Sequence, residues 1–207
     1  MNTIITIGRE FGSGGHEIGL KLADELHIPF YDKLLVSMVA EEGEFAQEFL
    51  DEMDEKVDIH IAPFLATRSS YSVYQQPMSD KIFFHQAEII RKLADEGSCV
   101  IVGRCADYVL DGRPNVVRVF LYGNLEDRIV RKGKMLDLKG DELKKHVVNT
   151  DKKRARYYRH YTGLIWGEKE NYDLCINTSK TGIEGAVASI KAFIKAEEAL
   201  LQSEDAR

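Results

Sequence analysis

Two stretches of this 207-residue chain gather residue types that handle anions. The first is Gly8-Arg9-Glu10-Phe11-Gly12-Ser13-Gly14-Gly15-His16. Glycines at this density let successive backbone N–H groups turn inward around a phosphate, and a helix starting directly afterwards adds the positive end of its dipole. Gly12, Ser13, Gly14, Gly15 and His16 are therefore the expected phosphate-holding positions. The stretch is not a full GxxxxGK[ST] loop, which asks for Lys where this chain has Gly15 or His16. Arg9 is the substitute cation inside the loop, and a pair with Glu10 or a plain exposed charge explains it equally well. His16 either donates to a phosphate or is a turn residue without a role. A strand-to-helix turn with no ligand is the plainer reading of the whole stretch.

The second stretch runs from Arg128 to Arg159, with twelve Lys or Arg against four Asp or Glu, in a chain of formal net charge −6. Positive charge collected in one segment of an acidic protein is suited to gripping an anion; a solvated helix face is the alternative. Arg154, Arg156 and Arg159 are candidates because one guanidinium holds two phosphate oxygens at once, which an ammonium does not. Each well-placed charge-assisted bond contributes about 1.5–3 kcal/mol, so two arginines would offset one missing Lys. Asp151 and Arg154 stand three apart on a predicted helix, which brings both heads to one side, to bind an acceptor or each other. Tyr157, Tyr158 and Tyr161 could stack a base or single-stranded nucleic acid, but packing of the segment against the core is the preferred reading. Asp32 would orient magnesium through water, bind an acceptor hydroxyl or cap a turn. Glu17 reads as a favourable acid in a helix's first turn. These residue types suit phosphoryl transfer, which asks for alignment and positive charge more than for covalent chemistry.

Hydrophobic patterning supplies the elements that must position them. Thr3–Ile7, Ile28–Tyr31, Cys99–Val102, Val116–Leu121 and Tyr172–Ile176 read as short buried strands. Ile18, Leu22 and Leu26 give one apolar stripe to a helix after the glycines, and Leu34–Leu50 also looks helical. A clean amphipathic helix covers Ser79–Glu96 and stops at Gly97. Charged helices fill Leu125–Asp137 and Asp141–Tyr158, and Thr181 with Glu184 suggests a capping box for a last helix. Five strands mostly separated by helices imply an α/β fold, an open parallel sheet with helices on both faces. Such sheets bind ligands at the carboxyl ends of their strands.

Composition narrows the class further. A chain of this length fits one domain, 1–207, burying roughly 70% of its unfolded surface. No apolar run approaches the ~20 residues of a membrane span, and the N-terminus turns polar too early for a signal peptide. Three cysteines without metal-ligand spacing fit a reducing cytoplasm. The acidic balance argues against a general nucleic-acid partner and leaves a small-molecule nucleotide. A dinucleotide loop competes, since Gly8-x-x-x-Gly12-x-Gly14 and Asp32 match an NAD-dependent reductase pattern. None of the nine tyrosines is followed by Lys at the Tyr-x-x-x-Lys spacing such reductases need.

Six segments in order resemble the cytidylate kinases, and in particular their cytidylate kinase-like branch. They are Thr6–Gly15, Phe30-Tyr31-Asp32, Gln86 with Val100–Arg104, Phe120-Leu121 with Glu126-Asp127-Arg128 and Arg131, Asp151–Arg154, and Tyr172-Asp173-Leu174 with Asn177-Thr178-Ser179. The resemblance implies a five-stranded P-loop NTPase-type core with a monophosphate-binding insertion at 33–80 and a helical lid at 123–160. It implies transfer of the ATP γ-phosphoryl group to a nucleoside monophosphate, CMP or dCMP foremost, with Mg2+. On that pattern the glycine loop holds the donor, Arg128 and Arg131 belong to the lid, and Asp32, Arg104, Asp151 and Arg154 hold the acceptor. The family's loop Lys falls on Gly15, and its acid after "GR" falls on Cys105. A nucleotide-binding sensor or partner module without turnover is the reading of another class.

Overall fold

The computed structural model describes residues 2–32 and 78–205. The expected helix Leu34–Leu50 and the expected insertion, up to residue 77, lie outside them. Five strands form one sheet in the order β2-β3-β1-β4-β5: β1 Ile4–Arg9, β2 Phe30–Tyr31, β3 Cys99–Val102, β4 Val116–Tyr122 and β5 Leu174–Asn177. Every pairing is parallel. The helices are α1 Gly15–Leu26, α2 Met78–Glu96, α3 Ala106–Val109, α4 Leu125–Gly133, α5 Gly140–Thr162 and α6 Thr178–Asp205.

Side chains alternate across β1, and this sorts the helices onto two faces. Ile5 and Ile7 pack with Val102, Val119 and Leu121 against Ile18 and Leu22 of α1 and Val187, Ile190 and Ile194 of α6. Ile4 turns the other way and joins Ile101, Val116 and Leu110 beneath Ile90 and Leu93 of α2. Both faces of the central strands are covered, so their residues need no polar alternation. With α1 leading from β1 to β2 across β3, and β4 on the other side of β1, the chain changes direction in the sheet beside β1. The crevice at the carboxyl end of β1 is the expected ligand position for such a topology.

Three local expectations change. The first strand continues to Arg9, because Gly8 and Arg9 still pair with Phe120 and Leu121, so Arg9 is a strand residue rather than a loop residue. The capping box does not form. Gly182 breaks α6 with φ 65° and ψ −171°, the Thr181 hydroxyl bonds the Asn177 and Gly182 carbonyls, and Glu184 pairs with Lys21 instead. Sequence patterning also missed α3, which follows three residues of positive φ in a row, Gly103 at 81°, Arg104 at 59° and Cys105 at 54°. Among the described residues no helix is long and apolar enough to cross a membrane.

Ile190 is fully buried between α6 and the sheet. Truncation to Ala is expected to cost about 2–5 kcal/mol of unfolding free energy, read from urea denaturation.

Candidate active site

The loop after β1 takes its shape from two left-handed glycines, Gly12 at φ 85° and Gly14 at φ 87°. At Gly12 a Cβ would also stand 2.8 Å from the carbonyl oxygen of Arg128, so both conformation and space exclude a side chain there. Gly14 caps α1, whose first residue is Gly15. Ser13 is buried, and both its hydroxyl at 2.9 Å and its amide N–H at 3.3 Å donate to the Glu10 carbonyl, so this residue holds the turn. His16 Nδ1 lies 2.6 Å from Asp32 Oδ2, which ties the start of α1 to the end of β2.

Arg9 explains the glycine in the place of Lys. Its aliphatic stem crosses Gly15 so closely that a Cβ there would lie 2.7 Å from Arg9 Cγ. The guanidinium continues to Gly103, where any Cβ would collide with Nη1, and reaches within 3.7 Å of Asp32. A side chain at position 15 and the observed course of Arg9 are mutually exclusive. Arg154 donates to the Arg9 carbonyl at 3.0 Å, and Arg104 contributes positive charge to the same cluster. Burial first, then repulsion from Arg154 and Arg104 against the attraction of Asp32, pushes the Arg9 pKa down to about 9. Arg154 is lowered as well, chiefly by burial. Arginine keeps its proton at neutral pH, so both shifts reflect burial and mutual repulsion of the guanidiniums, offset in part by Asp32 and, at Arg154, by Asp151. An anion bound among them would relieve that repulsion.

A second set of bonds fixes the loop from behind. Asp151 Oδ1 accepts the Phe11 N–H at 2.7 Å, and its Oδ2 accepts Arg128 Nη1 at 2.5 Å. Arg128 also donates to the carbonyls of Phe11 at 3.1 Å and Gly123 at 3.0 Å. Glu10 accepts the Gly123 N–H at 3.0 Å and faces Arg128 at 3.3 Å. Burial raises the Glu10 pKa, against the pull of the Gly123 amide and Arg128.

The predicted residues therefore divide. Gly12 to His16, Arg9, Asp32, Arg104 and Arg154 converge at the carboxyl end of β1. Arg128 and Asp151 are spent on each other and on the loop's peptide groups. Arg131 binds Glu17 at 2.9 Å, and so stands at the loop's edge, paired to the first-turn acid. Arg156 is exposed and outside the cluster, because two helical positions from Arg154 amount to some 200° of rotation. The tyrosines pack as expected: Tyr161 stacks on Phe83 with centroids 4.1 Å apart, and Tyr158 donates to buried Asp107 at 2.7 Å. Asp32 is paired with His16 at 2.6 Å and faces Arg9 at 3.7 Å. Glu10 pairs with Arg128 and Gly123 rather than with Arg9, and Asp107 was not anticipated, since the partners of both lie far away in the chain.

The donor set fits a polyphosphate. A glycine-bounded turn, a helix start and crowded guanidiniums suit its charge, and a cavity of about 330 Å3 beside the loop, lined by Gly12, Asp127, Arg131, Lys134, Met135 and Thr178 among others, has room for the attached nucleoside. Among the described residues no group of three or more His, Cys, Asp or Glu could hold a metal. Magnesium is commonly held by one or two carboxylates together with substrate phosphates, and Asp32 fits the carboxylate part.

Residues 4–180 match the model of the cytidylate kinase-like family. The cytidylate kinase of Methanopyrus kandleri is 24% identical, over 99% of this chain and 98% of that protein. The crystal structure of an uncharacterized protein from Eubacterium ventriosum superposes with a TM-score of 0.71 at 29% identity, covering 93% of this chain and 98% of that one. Shikimate kinase from Bacteroides thetaiotaomicron gives a TM-score of 0.57 at 14% identity, over 94% and 99% of the two chains, a likeness of fold.

Burial raises the Asp107 pKa, opposed by the Tyr158 hydroxyl and nearby amides. A carboxyl whose folded pKa exceeds its unfolded one favours the fold below the unfolded value, and that contribution is lost as pH rises through the folded value. Asp107→Asn, which keeps an oxygen for Tyr158, is expected to remove this decline above pH ~4. Denaturation of both proteins across a pH series measures it.

Proposed function

Because the chain belongs to the cytidylate kinase-like family, we propose that it transfers the γ-phosphoryl group of ATP to a nucleoside monophosphate, with CMP or dCMP the favoured acceptor. One observation carries the reading: the Arg9 stem crosses Gly15, the position of the Lys in GxxxxGK[ST] loops, and brings its guanidinium to Gly103 at the carboxyl end of the sheet. This chain has no Lys at that position, and a cation from the preceding strand reaches the crevice instead.

The division of labour follows from the geometry. Amides of Gly12 and of Gly14 to His16 hold the donor phosphates, while the Ser13 amide closes the turn on Glu10. Arg9 lies deepest and neutralises the oxygens whose charge grows as the phosphoryl group moves, a contribution that is largest where water is excluded. Arg104 and Arg154 face the acceptor's phosphate, and Asp32 is the carboxylate that would hold magnesium. When bound, magnesium supplies charge neutralisation of the phosphate oxygens. An acceptor phosphate is already ionised at neutral pH, so no general base is required. A fork of two N–H groups on each arginine fixes direction as well as charge, which suits an in-line transfer.

The absent Lys also favours a second reading, a module that binds nucleotide without turnover. A coupled assay with Mg-ATP across the nucleoside monophosphates separates the two. Turnover is expected with CMP or dCMP, falling about 100-fold or more in Arg9→Gln and Arg154→Ala, with exposed Lys152→Ala near wild type. Nucleotide binding without turnover on any acceptor would leave the second reading standing.

A further inference from the structure

We infer that Asp151 and Arg128 form a clamp that holds the phosphate loop in its anion-ready shape, and that Asp151 acts on the donor side as a positioning residue rather than as a ligand of the acceptor. The inference rests on the kinase reading only for what the loop binds; the clamp itself is a matter of backbone contacts.

Every peptide between Arg9 and Gly12 is held by a side chain or backbone group from more than 100 residues further along. Arg154 holds the Arg9 carbonyl, Asp151 the Phe11 N–H, and Arg128 the Phe11 carbonyl. The Gly123 amide binds the Glu10 carboxylate, and Gly12 rests against the Arg128 backbone. Asp151 uses both oxygens in this set, one on the Phe11 amide and one on Arg128. Arg128 is buried, with its guanidinium divided among Gly123, Phe11, Asp151 and Glu10. A carboxylate with an amide and a guanidinium already bound is poorly placed to receive a substrate hydroxyl.

The geometry has a purpose that glycines alone do not serve. Two left-handed glycines leave the loop many conformations, and a loop that had to be ordered by its ligand would lose affinity to that ordering. Bonds from α4 and α5 remove the cost beforehand. They also make the base of the α4–α5 pair and the loop a single unit, so that a change in either is felt by the other.

Asp151→Asn tests the clamp, because the amide oxygen still accepts from Phe11 while the charge facing Arg128 is gone. Calorimetry is expected to show the ADP dissociation constant rising about tenfold, a difference of about 1.4 kcal/mol, with that for CMP changed less than about twofold. A loss of CMP affinity, with or without a loss for ADP, would assign Asp151 to the acceptor and overturn the inference, as would unchanged affinity for both. Amide hydrogen exchange gives a readout that does not depend on nucleotide. Exchange at Phe11, whose N–H Asp151 accepts, should rise about tenfold in the variant while the core strands stay protected. Unchanged exchange there overturns the clamp even if the wild-type protein proves inactive. If Asp151→Asn does not fold, Arg128→Lys, which keeps the charge and loses the fork, is read in the same two ways with the same expectations.

Discussion

A single carboxylate links the phosphate loop to the helices that stand over it. Asp151 binds the Phe11 amide and the Arg128 guanidinium at once, and Arg128 returns to the Phe11 carbonyl, so both backbone polar groups of one residue, and with them two successive peptide units, are held. Buried ion pairs of this kind are seldom a net source of stability, because removing two charges from water costs several kcal/mol. Their value here lies in geometry. Replacing the pair by apolar residues could leave the protein as stable, but the loop would lose the contacts that choose one of its conformations.

A second constraint follows from volume. Gly15 has no side chain, and the space it leaves is filled by the stem of Arg9. Arg104, Arg154 and Asp32 then surround the arriving guanidinium. The protein as a whole is acidic, yet its crevice concentrates positive charge at a point where burial makes that charge expensive. Such a site gains most from an anion that brings several oxygens, since each guanidinium relieved of its neighbours' repulsion adds to the binding.

The sheet was legible in the sequence because both its faces are covered. Runs such as Cys99–Val102 and Val116–Leu121 are uniformly apolar for that reason, and the glycines after β1 could only be a turn. The crevice was legible in its membership, since Arg9, Asp32 and Arg154 were nameable from their positions at strand ends or in the basic segment, and Arg104 from the resemblance. Their division of roles was not. That Arg9 would lie over Gly15 depends on the path of one side chain, and that Asp151 would choose the Phe11 amide depends on a contact spanning 140 residues. Arg156 was included on charge alone, and helical rotation takes it elsewhere. Thr181 and Glu184 had the right spacing for a cap, but Lys21 on a neighbouring helix offered Glu184 a full opposite charge.

The turn of Gly103, Arg104 and Cys105 has a bearing on how the molecule could change over time. Two side-chain-bearing residues in succession keep left-handed backbones, at a cost of about 1–2 kcal/mol each. The bond from the Gly103 amide to the Ile7 carbonyl fastens this turn to the central strand, and buried Cys105 anchors it below. Glycine at position 105 would relax the backbone and could make the fold sturdier, while freeing the direction in which Arg104 points. Sturdiness and aim are thus opposed at one residue, a place where a more heat-resistant variant would be expected to surrender some of its grip.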